Sequence, residues 1–171
     1  MGNMGVESIK NNINNPQRVY LWEIVIPSIL GGGSAKDLEV RAQSTVYPGR
    51  SFGDIKIPYK ATPGFNIPGK LVMPQLWPCR FIESTDRKTF DAIYGWKQSI
   101  VGAETGIGFP DVLLKRNLYL RLLNWEGSET NRIKMVGTYP HLMDDTPLNY
   151  EDENAIYFSV TFKYDFWVQD V

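Results

Sequence analysis

The stretch AIYFSVTFKYDFWVQDV, positions 155–171, constrains the fold of this chain more than any other. Ile156, Phe158, Val160, Phe162, Tyr164 and Phe166 share one parity, while Tyr157, Ser159, Thr161, Lys163, Asp165 and Trp167 share the other. Successive side chains of a strand point to opposite faces, so this alternation predicts one long strand with one buried face. Phe158, Val160 and Phe162 are then core candidates. The second face carries large aromatics of its own, Tyr157 and Trp167, with Asp165 near them. These belong either to a second core layer or to a boundary with another copy of the chain.

Upstream the pattern stays mostly β. Residues 18–26 (RVYLWEIVI) are rich in β-branched and aromatic types and stop at Pro27. A Gly31-Gly-Gly-Ser34 turn follows, then residues 38–43 (LEVRAQ) alternate as a second strand, so the two read as a hairpin. Residues 76–83, 117–125 and 132–139 supply further strands, and 143–154 a polar turn region. One helix stands out after Ser84-Thr-Asp86, whose side chains offer N-cap oxygens. Phe90, Ile93, Tyr94 and Trp96 are its apolar positions, with Gly102 past its end. Phe90 and Ile93 join the core candidates. The expectation is a mainly β chain with one helix and roughly seven or eight strands, a β-sandwich or barrel.

Two segments do not fit a closed core. The first fifteen residues are asparagine-rich and read as a polar arm. Residues 44–70 are broken by Pro48, Pro58, Pro63 and Pro68 and by several glycines, yet 51–59 keep an alternating pattern. Prolines confine a strand to an edge or a bulge, and structureless loops of this length are uncommon in compact domains. The segment therefore reads as an extended limb that packs on a neighbour. Tyr47, Phe52, Asp54, Ile55, Lys56, Ile57, Tyr59 and Phe65 are its candidate contact residues, alongside Tyr157, Asp165 and Trp167. A length of 171 residues suits a single domain, 1–171.

The chemistry-bearing residues form no site in the sequence. His141 is the only histidine and Cys79 the only cysteine, so no nucleophile–base pair or zinc spacing is present and an internal disulfide is impossible. The acids at 144–145 and 151–153 lack the ligand spacing of a calcium loop. The glycines of 102–108 follow a helix, where a phosphate loop would follow a strand and open a helix. No enzyme activity, cofactor or metal is expected. With 18 Lys+Arg against 19 Asp+Glu there is no basic field to grip nucleic acid. No apolar run reaches the roughly 18 residues of a membrane-spanning helix, and no secretory leader or myristoylation signal is expected at the start.

The order of segments resembles the tail tube protein of contractile-tailed, myovirus-like bacteriophages. The resemblance rests on the strand Tyr20-Leu-Trp-Glu-Ile-Val-Ile26 and the turn Ala42-Gln-Ser-Thr-Val-Tyr-Pro-Gly49. It continues through Ile55-Lys-Ile-Pro-Tyr59, Phe65-Asn-Ile-Pro-Gly69, the strand–helix junction 80–96 and the closing Phe158–Trp167 segment. Residues 31–34 and 102–111 depart from that pattern and inherit nothing from it. The resemblance implies six-subunit rings whose strands join neighbours into one continuous β-barrel, stacked as the inner tube of a contractile sheath. It implies partners in the sheath, baseplate and terminator proteins, with double-stranded DNA passing through without specific binding and no membrane insertion. It also implies a virion location, after synthesis and assembly in the bacterial host cytoplasm. A chain without a basic tract suits such a conduit, since every phosphate contact would slow the cargo. Alternatives are the tube of a type VI secretion or other contractile injection particle, or a baseplate or tail-terminator subunit on the same fold. More distant is a monomeric lipocalin-like barrel holding an apolar ligand.

Overall fold

The computed structural model describes residues 16–60, 62–102, 106, 108, 114–151 and 153–170. The expected arm at 1–15 lies outside the described residues, as does most of 102–111. Among the described residues, nine strands and two helices run in the order β1 (Trp22–Val25), α1 (Ala35–Arg41), β2 (Ala42–Thr45), β3 (Ser51–Tyr59), β4 (Thr62–Val72), β5 (Leu76–Ile82), α2 (Lys88–Ile100), β6 (Arg116–Leu123), β7 (Glu129–Met143), β8 (Tyr157–Lys163) and β9 (Phe166–Asp170). The mainly β class is as expected, and the described residues include a short helix, α1, that the sequence pattern did not suggest.

Seven strands form an antiparallel sheet ordered β1-β6-β7-β8-β5-β2, with β9 also on β7. The 15-residue β7 belongs to both halves. Its first part pairs with β6 and β9, and its last residues pair with β8. Strands that pass between layers do so at bends or bulges, and the bend here is at Gly137, with φ of 68°. Before it Ile133 and Met135 point inward; after it Thr138 and Pro140 do. The partner strand changes parity at the same level, from Val160, Phe162 and Tyr164 to Trp167. The two halves of the sheet thus present opposite faces of the same strands to one core.

This bend corrects the expected unbroken terminal strand. It is interrupted at Tyr164–Asp165, although pairing with β7 keeps its register across the break, from Tyr139↔Lys163 to Val136↔Phe166. Asp165 holds the bend. Its N–H donates to the Val136 carbonyl at 2.9 Å, its carbonyl accepts from Gln75 Nε2 at 2.9 Å, and Lys115 Nζ lies 2.9 Å from its Oδ1. A Cβ at position 137 would come within 2.1 Å of the Asp165 carboxylate, so the bend requires glycine both for its φ and for space.

The core collects Trp77, Phe81 and Phe162 from the sheet and Trp96 from α2, with ring centroids 6.1 to 6.3 Å apart around Phe162. Val160, Phe162 and Ile93 are fully buried. Phe158 and Phe90 are only half-buried and meet each other at the core's margin. The buried stripe Thr89, Ala92, Ile93 and Trp96 follows the helical period. Capping of α2 differs from expectation: Arg87 occupies the left-handed N-cap position without a side-chain cap bond. The free N–H groups of Thr89 and Phe90 instead donate to the Glu83 carboxylate at 3.3 and 2.7 Å, and that of Lys88 donates to Asp86 at 3.4 Å.

Residues 38–43 are the second correction. Most of them form α1, and the hairpin with β1 does not exist: β1 pairs with β6, and β2 with β5. Ser34 caps α1 by accepting from the Asp37 N–H at 3.2 Å, and Leu38 is the residue it buries. The loop before it is closely packed. A Cβ on Gly31 would fall 2.2 Å from the backbone of Gly95, so loop and α2 touch main chain to main chain.

Candidate functional site

The part of the molecule left unfinished is β3–β4. These two strands pair with each other and form a separate two-stranded sheet. The limb expected at 44–70 is thus an ordered hairpin whose second strand runs to Val72. Opposed residues share a face, so Ile55↔Ile67 and Ile57↔Phe65, with Tyr59, make one side apolar. Asp54↔Pro68 and Lys56↔Asn66 lie on the other side, which Phe52 shares by its parity with Asp54. Phe52, Ile55, Tyr59, Phe65, Ile67, Leu71 and Val72 are all exposed, and Ile57 is half-buried. A two-stranded hairpin alone is marginal in water, and an apolar face this contiguous normally marks an interaction site.

The root of the hairpin is fastened to the body by two indoles. Trp77 Nε1 donates to the Val46 carbonyl at 3.0 Å, and Trp167 Nε1 donates to the Gly49 carbonyl at 3.2 Å. Thr45 Oγ1 adds a bond to the Pro78 carbonyl at 3.1 Å, and the Arg50 guanidinium lies 4.8 Å from the centre of the Trp167 ring. Tyr47, between the two anchored carbonyls, is exposed. Sequence reasoning found the limb but missed this clamp. The only signal was that a buried tryptophan seeks a partner for its N–H, and the partners lie 31 and 118 residues away.

The three C-terminal candidates separate. Trp167 is a correction: it is only 8% exposed and belongs to the core, because the parity change at Tyr164–Asp165 turns it inward. Phe166, expected on the core parity, is 46% exposed for the same reason. Asp165 stays half-exposed but is engaged in the bend with Lys115. Tyr157 is half-buried beneath Arg80, whose guanidinium lies 4.1 Å from its ring centre.

A second surface was not foreseen. The outer side of α2, the end of β7 and residues 144–148 enclose an open groove of about 910 Å³. Phe90 and Tyr94 stack at 5.5 Å along one wall, and Met143, Leu148, Ile156 and Phe158 complete its apolar lining. Asp144 and Asp145 stand at one margin, and Arg87 and Lys97 at the helix side. His141 also faces this groove and is exposed, with Tyr139 edge-on to it at 6.4 Å.

Cys79 is suited to packing and not to reaction. Burial pushes its thiol up to about 12, against a small opposing effect of the Thr45 hydroxyl 3.3 Å away. Among the described residues no group of three or more His, Cys, Asp or Glu could hold a metal ion, and no helix is long and apolar enough to cross a membrane.

Sequence comparison finds no matching family model and no matching curated protein. Solved structures do match in fold. One chain, from the cryo-EM structure of the anti-feeding prophage tube-terminating cap, aligns over 92% of this chain and 93% of its own at TM-score 0.68 and 14% identity. A chain of the PVC extracellular contractile injection system, from its extended sheath–tube complex, aligns over 99% of both at TM-score 0.67 and 13% identity. Another from the sheath/tube terminator of that system covers 93% of this chain and 99% of its own, also at 0.67 and 13%. The fold of this chain is the mainly β fold found in these tube and cap assemblies.

Proposed function

We propose that this chain is a structural subunit that assembles with copies of itself into stacked hexameric rings, the inner tube of a contractile particle. In its most specific form the particle is a contractile-tailed bacteriophage, and the tube conducts DNA during ejection. The observation that carries this reading is the exposed apolar face of β3–β4. Its burial by a neighbouring copy would complete it, and a head-to-tail contact that does not close on itself yields a filament. The short edge strands β1, β2 and β9 offer ladder groups for joining sheets between subunits, which removes edges that would otherwise aggregate. The fold likeness to tube and cap assemblies supports the same reading.

On this reading the whole of 1–171 is one tube domain, 1–15 is an arm and 44–70 a limb reaching other subunits. Sheath, baseplate and terminator proteins are its partners, and it resides in the virion after assembly in the host cytoplasm. It performs no catalysis and needs no cofactor. Electron microscopy of the purified protein tests it: rings and tubes are expected, and monodisperse monomers under all conditions overturn it. Nuclease-protected DNA inside intact particles would support the phage role, and protein cargo would favour an injection or secretion particle instead.

A second reading is a terminating cap, favoured by the likeness to the tube-terminating cap at TM-score 0.68. Rings that form readily but never stack would decide for it.

A further inference from the structure

The geometry points to one receiving surface for the hairpin: the apolar face of β3–β4 of one copy docks in the groove beside α2 of another copy, with its basic tip against the acidic 144–156 loop. This rests on the self-assembling reading and names the surface that reading leaves open. Both surfaces are apolar, and among the described residues neither is covered. Ile55, Ile57, Tyr59, Phe65 and Ile67 line one side of the hairpin, and Phe90, Tyr94, Met143, Leu148 and Phe158 line the groove. A groove of about 910 Å³ is large enough to take several such side chains.

Charge selects this partner over other apolar surfaces. Residues 50–72 carry Arg50, Lys56, Lys60 and Lys70 against the single acid Asp54, and residues 144–156 carry five acids and no base. Lys60 sits at the hairpin turn with φ of 43°, so the tip that would lead into the groove ends in a cation. Asp144 and Asp145 stand where that cation would arrive. Their loop is tied down by the Asp144 N–H on the Ser159 carbonyl at 3.0 Å and by Thr146 Oγ1 on the Tyr157 carbonyl at 3.1 Å. A fixed acidic margin steers and orients an incoming basic segment. Arg87, on the opposite wall, is within 3.7 Å of Asp91.

A charge swap tests the site. Lys60→Glu should raise the critical concentration for assembly about fivefold or more, and Asp144→Lys with Asp145→Lys should do the same. The variant carrying all three should recover assembly, because every contact in a homopolymer then pairs opposite charges again. As a second measurement, Tyr59→Cys with Leu148→Cys in a Cys79→Ala background should form a disulfide between copies on assembly, whereas Tyr59→Cys with Tyr20→Cys should not. Tubes that form without the 59–148 cross-link overturn the site while leaving the tube reading intact. So does a triple variant no better than its parents, or charge variants that assemble like the wild type. A wild-type protein that never leaves the monomeric state overturns both.

Discussion

The body and the hairpin are built from the same strand-forming residues but solve opposite problems. In the body, β5, β7 and β8 alternate so that Trp77, Phe81, Met135, Val160 and Phe162 vanish behind α2. In the hairpin the same kinds of residue also alternate, yet Ile55, Tyr59 and Phe65 face solvent. Secondary structure therefore does not separate a folded core from an assembly element. What separates them is whether another layer of the same chain covers the face. The body's sheet is largely covered by its own elements, whereas the hairpin has hydrogen bonds along its length and a fastened root, and its large apolar side chains are exposed.

This contrast breaks most visibly if a substitution in one region acts like one in the other. Trp96→Ala should cost about 3–5 kcal/mol in denaturant titration, since it removes a fully buried ring and leaves a cavity. Phe65→Asp should leave monomer stability within about 0.5 kcal/mol of wild type, yet abolish rings and tubes in sedimentation and microscopy. A hairpin variant that unfolds the monomer, or a core variant that spares it while blocking assembly, would defeat the distinction.

Two smaller effects sharpen the boundary between the regions. Gly137→Ala should destabilise by about 1–3 kcal/mol, because the bend demands a left-handed backbone and its Cβ would meet the Asp165 carboxylate. Trp167→Phe keeps most of the apolar surface but removes the donor to Gly49, for about 0.5–1.5 kcal/mol. Its more telling readout is hydrogen exchange, which should quicken around residues 46–50 and not in β7. Equal quickening in both would mean the indole serves the core alone.

The smallest effect is confined to alkaline pH and belongs wholly to the body. The Cys79 thiol ordinarily ionises near 9.0 and in the fold is raised to about 12. The folded state therefore keeps the proton longer than the unfolded chain. That contribution is complete below about pH 9 and is lost as pH rises from there towards 12. Cys79→Ala should flatten this part of the stability–pH curve, and alkylation of Cys79 at pH 8 should require unfolding. Rapid alkylation of the folded protein would contradict the burial.

Local patterning gave much of the layout because periodicity reports which faces are apolar. The strands at 76–83 and 117–125, the helix with Ile93 and Trp96, and the inward parity of Val160 and Phe162 were all readable that way. The limb was readable from its prolines and alternation. Residues 38–43 were misread because LEVRAQ satisfies a period of two while AKDLEVR is also a good helix. The deciding signal, Ser34 positioned to cap Asp37, sat in the preceding turn.

By itself, then, the amino-acid order determined that this protein would be mainly β, with one clear helix, a buried face on its closing strand and an alternating, proline-broken segment at 44–70. Those features depend on neighbours in sequence, where period and proline placement act directly. Only the tertiary structure decided that Trp167 turns inward and Phe166 outward, since that depends on a bend shared by Gly137 and Asp165 on different strands. It alone also brought Trp77 and Trp167 to the root of the hairpin and opened the groove between α2 and residues 144–148. Each of these is a meeting of segments far apart in the chain, and no local period encodes which distant carbonyl or side chain will arrive.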